Sequence, residues 1–322
     1  MMDRDHLLRV AAESGFQSES LEKVLRLLDV LEAVRSHPFL KTRMALKGGT
    51  ALNLFVFDVP RLSVDIDLNY LGSADRDAML AERPRVDEAI QAVCGRLGIQ
   101  VKRVPGDHAG GKWRLSYQSA LGRPATLEVD VNYMLRTPLW PIVPRPSRTV
   151  ADTTVADVPV VDVHELAAGK LAALLGRQAS RDVFDAHRVL REVSFDRRRL
   201  RIAFVVYGAF NRTDWRTVAA DDVRMSPKEA EQMLLPLLRA GERPSKAALA
   251  DWTSNLVQEC RGALECVLPL TQDEREFLTG VNERGEVLSE LITDDPGLRT
   301  IIQSHPMLLW KIKNVRQHKG LD

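Results

Sequence analysis

The sequence predicts an α/β (α+β) protein, with a small mixed β-sheet among helices in the first half and a purely α-helical second half. Three observations carry this. Between residues 44 and 133, short apolar runs with period-two alternation are separated by turn signals. Pro138, Pro141, Pro144 and Pro146 then crowd one stretch and interrupt the pattern. From His164 onward, apolar residues recur at helical spacing almost without a break. The 322 residues suffice for two domains, and the composition shift near 140–160 divides them as 1–150 and 151–322.

Residues 3–36 read as one or two helices. Leu21, Val24, Leu25, Leu28 and Leu31 form the apolar side, and Pro38 limits the helix at about Ser36. Gly48, Gly49 and Thr50 open an apolar helical run from Ala51 to Phe57. The next apolar segment carries Asp65 and Asp67; in a strand these share one face while Val64, Ile66 and Leu68 enter the core. A helix is predicted over 76–97, with Pro84 as a point of division and Gly98 as its end. A strand over 99–104 and a turn-rich connection over 106–111 lead to an antiparallel hairpin, 112–118 with 125–133. A short apolar run at 158–161 precedes the helix that starts at His164. Further helices are expected at 181–193, 196–210, 226–239, 246–264, 271–291 and 295–316, and His37-Pro38 and His305-Pro306 read as helix boundaries.

Composition narrows the function classes. A 45% hydrophobic and 28% charged chain is an ordinary globular one. The net charge of +1 excludes a protein that holds nucleic acid by bulk electrostatics, so any such binding depends on local patches. The candidates are Arg197 to Arg201, Lys311 to Lys319, and Arg43, Lys47, Arg61, Lys102, Arg103 and Lys112 around the site described next. No apolar run reaches membrane-spanning length and the first residues lack a signal-peptide pattern, so the expectation is cytoplasmic residence without a membrane partner. Cys94, Cys260 and Cys266 have neither disulfide-framework nor zinc spacing. Trp215, Trp252 and Trp310 are expected as core or interface anchors.

The chemistry centres on carboxylates. Asp65 and Asp67 side by side repel each other, and a hard divalent cation resolves that repulsion. In the strand over 127–133, Val129 and Val131 point inward, which leaves Glu128, Asp130 and Asn132 on the other face. Asp130 is thus a candidate third ligand in a two-metal site for phosphoryl or nucleotidyl transfer. The Gly48-Gly49-Thr50 turn offers backbone N–H groups and a hydroxyl to a triphosphate. Lys170 and Arg177 lie two helical turns apart on one face, suited to neutralising that triphosphate; Arg181, Asp182 and Asp185 follow. The plain alternatives are a simple glycine turn, solvated strand carboxylates, and a helix ladder pairing Glu165 with Lys170 and Arg181 with Asp185. Ser63 is placed two residues before Asp65 on the same strand face, where phosphorylation would set a dianion in the triphosphate site.

In combination, Gly48-Gly49-Thr50, the segment Arg61 to Leu68 and the segment Leu127 to Asn132 resemble the DNA polymerase β-like nucleotidyltransferases. Within that superfamily the chain is most similar to the AbiEii/AbiGii-type toxins, which include the MenT toxins. Glu165 to Arg177 leading into Ser180 to Asp185, and His305 to Arg316, resemble the family's second half, so the resemblance runs from about Leu46 to Arg316. Threonine stands where the family commonly has serine, and the spacer from Thr50 to Asp65 is longer. The resemblance implies two Mg²⁺ ions, replaceable by Mn²⁺, on Asp65 and Asp67, with Asp130 completing one of them. It implies an NTP held by Gly48, Gly49, Thr50, Ser63, Lys170, Arg177, Arg181, Asp182 and Asp185, in a cleft between the two domains. It implies a tRNA 3′ end as acceptor, a block of translation, and a cognate antitoxin. The competing readings are transfer to a protein or small molecule, and a non-catalytic scaffold.

Overall fold

Seven strands form one mixed sheet, and the register of its central strands positions the carboxylates. The computed structural model describes residues 3–104, 110–177 and 179–321, so most of the expected 106–111 connection lies outside the described residues. The chain divides into two compact units. The first comprises Met1–Arg136, Ile142–Val161 and Glu231–Ser245; the second comprises Thr137–Pro141, Asp162–Ala230 and Lys246–Asp322.

The first unit opens with helices α1 (Arg4–Ser14) and α2 (Ser18–Ser36). The Asp3 carboxylate caps α1 by accepting from the His6 N–H, and Gly15 ends it in the left-handed conformation. Strand β1 (Met44–Lys47) runs directly into the short helix α3 (Gly48–Ala51). Then come β2 (Asp65–Tyr70), helix α4 (Arg76–Arg96), β3 (Gln100–Val104), β4 (Gly110–Gln118), β5 (Pro124–Asn132), β6 (Val143–Arg145) and β7 (Val158–Val160). Helix α4 continues through Pro84 without dividing.

The strand order is β3-β4-β5-β2-β1-β7-β6, with β2/β5 and β1/β7 parallel and the other pairs antiparallel. Period-two alternation gives the sheet two unlike faces. Trp113, Leu115 and Tyr117 of β4, Leu127, Val129 and Val131 of β5, and Ile66 and Leu68 of β2 are all buried. Helices α2 and α4 pack on this sheet and on each other. Burial of each large apolar side chain contributes about 1.5–3 kcal/mol, so a one-residue slip in register is strongly opposed.

A distant segment completes the first unit. The helix expected over 226–239 is cut to α8 (Pro227–Met233; numbered after the three second-unit helices α5 to α7 given below), and a 3-10 turn follows at Leu235–Leu237. Leu238 bridges Arg61, the Leu62 N–H donates to the Leu237 carbonyl, and the Ala240 N–H donates to the Gly15 carbonyl.

The second unit contains α5 (Val163–Arg177), α6 (Ser180–Glu192), α7 (Arg197–Ala209), the start of α8, α9 (Leu249–Ala263), α10 (Gln272–Thr279), α11 (Pro296–Gln303) and α12 (Pro306–Lys319). The single helix expected over 271–291 becomes α10 and a π-helical turn, Gly280–Arg284, stopped by left-handed Gly285. The 295–316 segment divides at His305-Pro306, where the His305 ring accepts from the Met307 N–H and caps α12. Trp215 is fully buried against Phe204, but Trp310 is 53% exposed and therefore no core anchor. No described helix is long and apolar enough to cross a membrane.

Candidate active site

The turn between β1 and α3 is built around Gly48, whose φ of +73° favours glycine. A side chain there would also collide: an added Cβ would lie 2.2 Å from Asp67 Oδ2. Two buried side chains fix the rest of the turn. Asn53 Nδ2 donates to the Gly49 carbonyl at 2.9 Å, and the Thr50 hydroxyl donates to the Asp65 carbonyl at 2.5 Å. The hydroxyl that sequence reasoning assigned to a phosphate is thus committed to the junction of turn and strand. Helix α3 then widens into a π-helical turn, Leu52–Val56, closed by the Phe57 N–H on the Leu52 carbonyl.

Strand register places the carboxylates. In the parallel pair β2/β5, Asp65 stands opposite Glu128 and Asp67 opposite Asp130. Lys47 of β1 is the register partner of Asp67; on the far side of β5, Lys112 and Arg114 are the partners of Asp130 and Glu128. Adjacent strands lie about 4.8 Å apart, so neighbouring carboxylates are within reach of one ion bound at roughly 2.0–2.6 Å from each oxygen. Among the described residues no group of three or more His, Cys, Asp or Glu side chains is drawn together as a metal cage. The donor set nevertheless fits a hard divalent cation: Asp65, Asp67 and Asp130 are half-buried carboxylates on one sheet face, and Gly48 leaves the room that Asp67 occupies.

Ser63 is placed differently from the expectation. Strand β2 begins at Asp65, so Ser63 lies in the non-strand approach to it, and the period-two argument for a shared face does not extend that far. The residue is buried, at 7% exposure.

Replacing Gly48 by Ala tests the turn. The expected outcome is about 1–2 kcal/mol of destabilisation from the positive φ. Loss of activity should be far larger, because the Asp67 carboxylate must move. Thermal melting set beside NTP turnover separates the two, and a variant with full turnover would refute this role for Gly48.

The second unit holds the predicted cations. Lys170 Nζ lies 3.0 Å from Asp182 Oδ1 and 2.9 Å from Asp185 Oδ2, and both aspartates are buried. Arg177 clasps Asp182 with two hydrogen bonds, Nε to Oδ2 at 2.6 Å and Nη2 to Oδ1 at 3.1 Å. Its side chain is 69% exposed. Burial pushes the Asp182 carboxyl up, but the Arg177 hydrogen bond and the Lys170 and Arg177 charges outweigh it and hold the group below the ordinary 3.8. Arg181 is half-buried and makes no ion pair among the described residues.

The helix ladder considered for this segment is not formed. Asp185 goes to Lys170, and Glu165 turns to a different task. Its Oε1 accepts from the N–H groups of Leu139 and Trp140 at 3.0 and 3.3 Å, and its Oε2 accepts from the Tyr207 hydroxyl at 3.0 Å. Glu165 thereby ties the Thr137–Pro141 segment to α5. Sequence reasoning missed this anchor; the available signal was a lone carboxylate beside the apolar Leu166-Ala167-Ala168 run.

Burial pushes Glu165 up to about 7 from its ordinary 4.5. A raised carboxyl pKa means that the folded state holds the proton more tightly than the unfolded chain. Its contribution is fully present below about 4.5 and is lost as pH rises towards about 7. Glu165→Gln is expected to flatten the stability profile across that window by up to about 3 kcal/mol, as read from urea denaturation at several pH values. An unchanged profile would contradict it.

A glycine turn entering a helix, two carboxylates on the next strand and a third on its parallel neighbour form the arrangement that the sequence resemblance to nucleotidyltransferases led one to expect. The family model described as "Nucleotidyl transferase AbiEii toxin, Type IV TA system" matches residues 29–260, and the chain belongs to this toxin family. The fold is similar to that of MenT4, a nucleotidyltransferase toxin from Mycobacterium tuberculosis H37Rv, with a TM-score of 0.57 and 20% identity over 96% of this chain and 99% of that one. No curated protein sequence matches significantly. Membership implies an NTP substrate and an antitoxin partner.

Proposed function

We propose that this chain transfers a nucleoside monophosphate from an NTP to an RNA 3′ hydroxyl, that of tRNA, and so blocks translation as the toxin of its pair. The observation that carries the reading is the register of Asp65 and Asp67 against Glu128 and Asp130, beside a glycine that leaves space for Asp67.

Asp65, Asp67 and Asp130 would hold two Mg²⁺ ions. Bound there, the ions supply Lewis-acid stabilisation of charge on the phosphate oxygens and on the departing pyrophosphate. The backbone of Gly48, Gly49 and Thr50 receives the distal phosphates, with Thr50 acting through the hydrogen bond that ties the turn to β2. Ser63, two residues before Asp65 in the chain, is a further candidate for contact with the nucleotide. Lys170, whose ammonium pairs with Asp182 and Asp185, is the second unit's candidate donor to a phosphate oxygen. Arg177, exposed and oriented by Asp182, neutralises further phosphate charge; Asp185 holds Lys170 in place and Arg181 adds positive charge alongside.

Incubation with each α-labelled NTP in turn, with total RNA and separately with total protein, tests this. Label on RNA, lost on chelation and mapped to tRNA 3′ ends by sequencing, is the expected result. Label on protein alone would refute it.

A further inference from the structure

The sheet face that bears the carboxylates continues beyond them into cations. Two cross-strand rows can be followed. One runs Lys47, Asp67, Asp130 across β1, β2 and β5. The other runs Asp65, Glu128, Arg114, Lys102 across β2, β5, β4 and β3. Residues in direct register share a face, so the acids form a central band with a cation on either side. Lys47 flanks the Gly48 turn. Arg114 and Lys102 extend the opposite edge, about 10 and 14 Å from Asp65 at the usual strand spacing.

This edge is available to a partner. Lys102 is exposed, and the Arg114 side chain is 60% exposed. Arg114 meets Glu128 only at 3.6 Å, a surface ion pair of the kind worth little in water. The opposite face of β4 and β5 is buried and apolar. With a net charge of +1, the chain attracts a polyanion only through such local patches.

We propose that Lys102 and Arg114 form a docking track for the sugar–phosphate backbone of the RNA acceptor, leading its 3′ end to the carboxylate band from the β4 side, while the NTP enters from the β1 side. The proposal rests on the RNA-acceptor reading given above. Charge complementarity selects the occupant: two cations in a row, spaced by one strand, suit successive phosphates. Glu128 and Asp65 at the inner end of the row repel the backbone, so the track ends where the terminal hydroxyl must sit.

The test compares wild type with Lys102→Ala/Arg114→Ala and with a charge-matched control, Arg9→Ala/Arg123→Ala, at exposed sites on the same unit. Binding of a fluorescein-labelled tRNA transcript is measured by anisotropy at several salt concentrations, and NTP binding is measured separately. The track variant should weaken tRNA binding about tenfold and reduce the magnitude of the log–log salt slope by roughly 1.4, with NTP affinity and the control unchanged. Unchanged tRNA affinity and slope overturn the proposal. Equal weakening of NTP binding also overturns it, because the cations would then belong to the triphosphate. If the wild type labels protein and no RNA, the functional reading falls and the track with it. If the wild type labels RNA and the track variant binds tRNA equally well, the track alone falls.

Discussion

Asp67→Asn should abolish nucleotidyl transfer, by roughly 10³-fold or more, while leaving the protein folded. Asp67 has Lys47 on one side and Asp130 on the other in the sheet register, and Gly48 is shaped around its carboxylate. The asparagine keeps the volume and removes the charge. Without a bound cation, that substitution relieves repulsion from Asp130, so melting temperature is expected to hold or rise as activity disappears. Divalent-ion titration should also stabilise the wild type more than the variant, since an ion that binds only the folded state raises stability by mass action. Retained label transfer in Asp67→Asn would end the catalytic reading.

Lys170→Ala should be the most damaging change in the helical unit, costing about 3–5 kcal/mol. It takes the ammonium away from two buried carboxylates, Asp182 and Asp185, both of which it pairs. Most of the cost is the excess of buried negative charge once the ammonium is gone, so Lys170→Ala combined with Asp185→Asn should recover a substantial part of it. A double variant no more stable than the single would show that the pair is not the source. The pH dependence follows in sign. Asp182 titrates below its ordinary 3.8, so its stabilising contribution is present above that value and is lost as pH falls through the lower folded one. With Lys170 gone, acid unfolding should begin at a higher pH than in the wild type.

The sheet was legible because its signal is local. Ile66, Leu68, Val129 and Val131 alternate with polar residues, and that period alone assigns Asp65, Asp67 and Asp130 to the opposite face. Helix ends marked by proline or glycine, such as those at Pro38 and Gly98, were legible for the same reason. What escaped was non-local or geometric. The Thr50 hydroxyl finds a carbonyl fifteen residues away, and Lys170 finds Asp182 twelve residues away on another helix; spacing rules within one helix cannot reach either. The 271–291 helix was over-extended because a π-helical turn keeps a helix-like pattern until Gly285 ends it. Ser63 was placed on the strand by extending the period two residues past the point where pairing begins.

The Glu231–Ser245 segment bears on how this toxin can be dissected. The polypeptide passes between its two units at 136/137, 141/142, 161/162, 230/231 and 245/246. A fragment stopped at 161 would contain every strand of the sheet, yet it would lack the backbone partners of Arg61 and Leu62, the residues that lead into the Asp65 strand. The shortest contiguous piece carrying an intact carboxylate face therefore extends to residue 245 and takes in much of the helical unit. Truncation libraries and split-toxin designs that cut at the apparent boundary near 150 would return inactive halves for this reason, whatever chemistry each half contains.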